Sequence, residues 1–155
     1  GLRTLAAEAL AAIGDVESRS GEDARENPVA VQECLQDVML ECVGPLRHAS
    51  RLHHALAQVR AWQAGLSSLH LSAAQSFNMD LHDWFELRNM LQVAETIIVS
   101  AERRQESRGA HQREDFPNAD PDWQCNQVVT VSHAALHVRS EPVVHAAAGE
   151  DATST

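Results

Sequence analysis

Between positions 104 and 115 the chain carries Arg104, Glu106, Arg108, His111, Arg113, Glu114 and Asp115, so guanidinium and carboxylate groups alternate around one imidazole. The chemistry open to such a set is bidentate ion pairing, inside the domain or across an interface, because the guanidinium fork matches a carboxylate edge to edge. Alternating charge also suits a plain solvated helix end, and the two readings stand side by side. Gly109 can take a positive φ at the end of a helix and Pro117 cannot continue one, which favours a defined loop over a fraying coil. His111 titrates in the range of a general base, but no nucleophile or oxyanion site accompanies it, so a hydrogen-bonded structural role is expected. No catalytic residue is expected in this chain.

Other chemistries find less support. Nine histidines raise the question of a metal. His53 and His54 point different ways on a helix, and His133 and His137 share a strand face only if Ala134-Ala135 is not a turn. No native metal site is expected, and a small metal-dependent hydrolase built on the histidines ranks last. There is no G-x-G-x-x-G or Walker loop, hence no cradle for a dinucleotide or ATP and no cofactor-binding residue. Cys34, Cys42 and Cys125 form an odd set without C-x-x-C spacing, which speaks against a disulfide scaffold or a structural zinc. Cys34 and Cys42 are expected as two reduced thiols on the core face of one helix.

A chain of 155 residues with 44% apolar residues is one domain by length and can bury a real core. With no Tyr and only three Phe and three Trp, that core must come from Leu, Val, Ala and Met, which favours packed helices. The net charge is −10, and all twelve basic residues are arginine. Without a dense basic run, nucleic-acid binding is excluded. No apolar run approaches the roughly 20 residues that span a bilayer, and no signal sequence opens the chain. A soluble, unprocessed protein with no direct membrane span is expected.

The elements that must position the charged run follow from periodicity. Residues 1–13 have high helix propensity and end before Gly14-Asp15, and residues 14–27 read as a polar linker. Asn27-Pro28 predicts an N-cap and first-turn proline for a helix whose stripe is Val31, Leu35, Val38 and Cys42. After Gly44-Pro45, the stripe Leu46, Ala49, Leu52, Leu56, Val59 and Gln63 predicts a second bundle helix ending near Gly65. The longest helix is predicted from Met79 to Gln105, on Leu81, Trp84, Leu87, Leu91, Ala94, Ile98 and Ala101. The expected fold is mainly α: an antiparallel three-helix bundle, spectrin-repeat-like, over residues 28–125. Gln127–Ser132 and Leu136–Glu141 flank His133-Ala-Ala and predict a C-terminal β-hairpin over 126–145 that needs a surface to lie on. Residues 146–155 read as a disordered tail.

Ser100, Ala101, Arg104, Glu106, Ser107, Arg108, Gly109, Ala110, His111, Arg113, Asp115, Phe116, Pro117 and Trp123 together resemble the run that closes the long helix in one known domain. It is the C-terminal domain of the succinate dehydrogenase / fumarate reductase / L-aspartate oxidase flavoproteins. The resemblance extends upstream through Asn78, Glu86, Leu87 and Asn89, and more weakly to Met39, Gly44 and Arg47. Residues 1–13 resemble the last helix of the FAD-binding domain in those proteins. The sequence departs from the family pattern at Phe116, where Tyr is common, and at Asn118-Ala119, where Arg-Asp is usual.

The resemblance implies a parent enzyme that moves a hydride between a C4 dicarboxylate and FAD, with the FAD and the substrate residues in domains upstream of this segment. For this segment it implies no cofactor, no catalysis alone, and a packing role. Arg104, Glu106, Arg108, His111, Arg113, Asp115 and Trp123 are then the domain and subunit interface. The implied partners are the FAD-binding domain of the same parent chain and, in the respiratory complexes, an iron-sulfur subunit. The implied location is cytoplasmic, peripheral to the inner face of the membrane through partner subunits. The competing reading is a free-standing helical module whose acidic surface binds a protein.

Overall fold

A computed structural model describes residues 27–69, 71, 77–132 and 135–144. The helix expected over 1–13, the linker up to residue 26, the His133-Ala134 turn and the tail over 146–155 lie outside the described residues.

Three helices carry the fold. Helix α1 spans Pro28–Val43, α2 spans Ala49–Gly65 and α3 spans Met79–Arg103. Asn27 caps α1, its Oδ1 accepting from the Ala30 amide at 2.8 Å, and Pro28 fills the first turn where no amide is needed. Asn78 caps α3 in the same way, accepting from the Leu81 amide at 3.0 Å. α2 starts on His48, whose Nδ1 accepts from the Ser50 amide at 3.2 Å. Each helix packs on both others, and the short connection between α1 and α2 sets them antiparallel.

The core is the seam where the three stripes meet. Val31, Leu35, Cys42 and Val43 from α1 face Leu52, Ala55 and Val59 from α2 and Trp84, Leu87, Leu91, Ala94, Ile98 and Ala101 from α3. Leu52, Val59, Leu87, Leu91 and Ile98 have no exposed surface. Trp84 lies with its ring in the core while its Nε1–H donates to the Leu66 carbonyl at 2.9 Å, which ties α3 to the 3₁₀ turn Leu66–Ser68 that follows α2.

Three expectations are corrected. Cys34 is exposed while Cys42 is buried, because eight residues turn a helix about 80° beyond two full turns and so leave the core face. Leu46 does not join a helical stripe: it is 55% exposed and belongs to strand β1, Leu46–Arg47. α3 stops at Arg103 and not at Gln105, since Arg104 turns extended at φ −77° and ψ 105°.

β1 pairs in parallel with β2, Gln112–Arg113, with Leu46 opposite Gln112 and Arg47 opposite Arg113. The hairpin forms as expected, from β3, Cys125–Ser132, and β4, Ala135–Pro142, in antiparallel register from Cys125 opposite Pro142 to Ser132 opposite Ala135. Both strands approach α3, with Leu136 and Val138 lining one cavity with Val99 and Leu136 and Val131 another with Gln92. That supplies the surface an isolated hairpin lacks.

Candidate functional site: the charged junction at the end of the bundle

The charged run folds into one compact junction where α1 ends, α2 begins and α3 ends. Beyond α3 the chain makes a tight turn in which Arg108 and His111 exchange backbone hydrogen bonds of 2.7 and 3.0 Å. Gly109 occupies the turn at φ +58°, the conformation expected of it, though in this turn and not as a helix cap. From there β2 docks on β1, and the Glu114 amide donates to the Arg47 carbonyl at 2.8 Å.

Arg113 is the centre of the inner layer. Its guanidinium is 2% exposed and grips Asp115 with two bonds, Nε to Oδ1 at 2.7 Å and Nη2 to Oδ2 at 2.6 Å. Its Nη1 donates to the carbonyls of Ala101 at 2.9 Å, Glu102 at 3.0 Å and Arg104 at 3.3 Å, the orphan acceptors at the end of α3. Asp115 in turn accepts from the Ala49 amide at 3.2 Å, at the start of α2. The bonds from Arg113 hold the Asp115 carboxyl well below the usual carboxylate range.

Glu106 is the second node, fully buried and paired with two arginines. Arg108 donates to both its oxygens, at 2.9 and 3.0 Å, the Asp120 amide donates at 2.9 Å, and Arg104 closes the set. Chiefly through Arg108, these bonds hold Glu106 down at about 2 despite its burial. Arg104 also donates to the carbonyls of Trp123 at 2.9 Å and Cys125 at 2.8 Å, and stacks over the Trp123 ring at 5.5 Å. One acidic side chain thereby fixes the loop, the Pro121–Trp123 turn and the start of the hairpin.

His111 sits at the inner edge of the junction. Arg47 Nη1 lies 2.6 Å from its Nδ1, and its Nε2 lies 3.2 Å from the Arg104 carbonyl. A guanidinium can only donate, so Nδ1 accepts and the proton is on Nε2. Burial, with Arg47, Arg113 and Arg104 around it, pushes the His111 pKa down and keeps the ring neutral near pH 7. Ser107, also buried, accepts from the Arg113 amide at 2.8 Å and donates to the Phe116 carbonyl at 2.8 Å.

The structure thus gathers all seven candidates, Arg104, Glu106, Arg108, His111, Arg113, Asp115 and Trp123, into one network. Two members went unmarked in the sequence as part of it. Arg47, marked only by the weaker part of the resemblance, follows the Gly44-Pro45 stop and donates through Nε to the carbonyls of Val43 at 3.2 Å and Gly44 at 2.8 Å, so it serves α1 as Arg113 serves α3. A basic residue just past a helix stop is the signal that could have found it. Ser107 is marked only by the family resemblance, since by residue type a hydroxyl among charges usually faces water. Among the described residues, His82, Asp83 and Glu86 on α3 hold ligand atoms within 4.8 Å of one another, but on exposed turns far from this network in sequence.

The arrangement binds and braces. Among the described residues, Arg104 and Arg108 are spent on Glu106 and Arg113 on Asp115, while Arg47 meets carbonyls and His111.

A profile described as fumarate reductase flavoprotein C-term matches residues 32–150. The fumarate reductase flavoprotein subunit of Mycobacterium tuberculosis is 35% identical over 125 residues, covering 80% of this chain and 20% of that protein. The L-aspartate oxidase of Nostoc is 34% identical over 113 residues, covering 64% of this chain and 20% of that protein. Among solved structures, the apo Sdh1 complex of Mycobacterium smegmatis superposes with a TM-score of 0.74 at 28% identity, covering 88% of this chain and 24% of the other. The E. coli quinol fumarate reductase FrdA shares the fold with a TM-score of 0.81 at 24% identity, covering 91% and 24%. The chain spans about a fifth of the length of the curated relatives it matches. With that profile running through the bundle, the junction and the hairpin, the chain belongs to the C-terminal domain family of the succinate dehydrogenase and fumarate reductase flavoproteins.

Proposed function

We propose that this domain serves an FAD-dependent oxidoreductase acting on C4 dicarboxylates of the succinate/fumarate type, in which it packs domains and contacts subunits and is not catalytic alone. The observation that carries the reading is the family match through the whole junction, over residues 32–150. That match also sets aside the free-standing interaction module. In this reading FAD is held by the FAD-binding domain of the parent chain. The parent is cytoplasmic, at the inner face of the membrane through its partner subunits.

Two surfaces suit the packing role. The inner charges of the junction are used within the domain, while Arg108 is 43% exposed and Gly109, Ala110 and part of Trp123 face outward. This edge, braced from behind by Arg104, Glu106, His111, Arg113 and Asp115, is the one we assign to an iron-sulfur subunit. Between α1 and α3 runs an apolar groove of about 360 Å³ lined by Leu35, Met39, Met90, Val93 and Ile97. Val93 is 58% exposed beside it. We assign it to the FAD-binding domain, because most of the length of the relatives lies outside this chain.

The test is to express the complete reading frame and record its visible spectrum before and after anaerobic addition of succinate, then of L-aspartate. A flavin band bleached by one of them is expected and names the branch. A colourless protein would overturn the reading.

A further inference from the structure

Arg47 differs from the other inward cations of the junction. Arg104 is paired with Glu106 and Arg113 with Asp115. Arg47 spends its Nε on the carbonyls of Val43 and Gly44 and its Nη1 on His111 Nδ1, and among the described residues it has no carboxylate within ion-pair reach. His111 is the acceptor in that contact and is neutral, so it brings no countercharge. Arg113 nearby repels, which together with burial pulls the Arg47 pKa down. A half-buried guanidinium with neutral partners and a like charge beside it is costly unless an anion joins it.

The space for that anion exists. Arg47 and His111 line a pocket of about 350 Å³ together with Thr96, Ser100, Arg104 and Gln127, and no acidic residue lies on its wall. Gln127 is a second, independent mismatch: its Nε2 is buried and has no hydrogen-bond partner. The wall therefore carries the Arg47 guanidinium, the idle Gln127 amide and the Ser100 hydroxyl, while the Thr96 hydroxyl is spent on the Gln92 carbonyl at 2.9 Å.

We propose that this pocket is a carboxylate-binding site, with Arg47 as the counter-ion and the Gln127 amide as the second donor. A carboxylate fits better than a phosphoryl group. One uncommitted arginine balances one negative charge, since Arg104 is already paired with Glu106, and no nest of free backbone amides lines the space. The carboxylate comes either from a small acid in solution or from an Asp or Glu side chain of the rest of the protein. The site stands on the geometry of this chain and not on the flavoprotein reading.

The test compares melting temperatures of the full-length protein as wild type, Arg47→Gln, Thr96→Asp and Thr96→Asn, with sodium acetate titrated against sodium chloride at constant ionic strength. A free-acid site gives a saturable rise of a few degrees in the wild type and in Thr96→Asn, and none in Arg47→Gln. Thr96→Asp, which brings a carboxylate to the pocket wall and leaves Arg47 and its helix contacts in place, then melts higher without acetate and ignores it. A site filled by a protein side chain gives no acetate response, and Thr96→Asp melts well below Thr96→Asn because two carboxylates meet one arginine. If acetate has no effect and the two Thr96 variants melt together, the site does not exist.

Discussion

Arg113 and Asp115 form a bidentate ion pair whose two ends cap different helices, Arg113 the carbonyl end of α3 and Asp115 the amide end of α2. Each charge therefore faces the helix terminus of opposite polarity, and the pair adds to both macrodipoles while neutralising itself.

Removing Arg113 leaves Asp115 uncompensated in a site where it is only 19% exposed. Arg113→Gln is expected to destabilise the domain by about 3–5 kcal/mol in urea denaturation. Arg113→Lys should recover only part, since a single ammonium cannot grip Asp115 and three carbonyls together. A loss under about 1 kcal/mol for Arg113→Gln would mean that the pair behaves as a solvated one.

Acid should unfold the domain through the two paired carboxylates, Glu106 buried and Asp115 partly so. Both have folded pKa values below their unfolded ones, near 2 for Glu106 and well below the usual carboxylate range for Asp115 through its bonds from Arg113. Their stabilisation is present in full above the ordinary carboxylate range and is lost as pH falls through the folded values. Denaturation followed between pH 5 and 2 should show a steep loss of stability that is shallower in Glu106→Gln.

A separate step belongs to His111, whose folded pKa is pushed below the ordinary 6.5. Its contribution is complete above that value and fades as pH drops below it, because protonation turns the Nδ1 acceptor into a donor facing Arg47. Nitrogen-15 NMR of the imidazole should report the Nε2–H tautomer at pH 7.5. The Nδ1–H tautomer would contradict the assigned hydrogen bonds.

Gly109 is held at φ +58° with open space where a Cβ would sit, so substitution there costs backbone strain alone. Gly109→Ala should lower stability by about 1–2 kcal/mol, and Gly109→Asn by less, in thermal melts. Equal stability of all three would show that the turn adjusts.

Arg108 is the exposed member of the Glu106 node. In the parent protein, Arg108→Ala should weaken assembly with neighbouring subunits while sparing turnover per assembled enzyme. Gel filtration paired with activity of the assembled fraction separates the two, and normal assembly with lost turnover would refute the packing role.

The helices were legible because their signals are local: Asn27-Pro28 caps α1, and the stripes on α1 and α3 repeat at helical spacing. The hairpin was legible from its β-prone runs and small turn residues. What the sequence could not show is long-range pairing. Leu46 looks like one more stripe residue until β2 is known to dock beside it, and Arg47 meets His111 across 64 positions. Cys34 was misplaced because a spacing of eight was treated as two whole turns. The alternation of charges identified the junction but not its inside from its outside, since Glu106 at 0% exposed and Arg108 at 43% are neighbours of similar polarity.

The two-residue pairing of β1 with β2 is small, yet it joins the segment before α2 to the segment after α3 and so closes both helices into one loop of chain held by hydrogen bonds. Closing so long a loop is entropically slow, so the clasp should form late in folding. During synthesis all three helices are made before residues 112–115, which close their charged ends. Pulsed hydrogen exchange should find the Gln112 and Glu114 amides protected after those of α3, and protection in the reverse order would place the clasp in the folding nucleus instead.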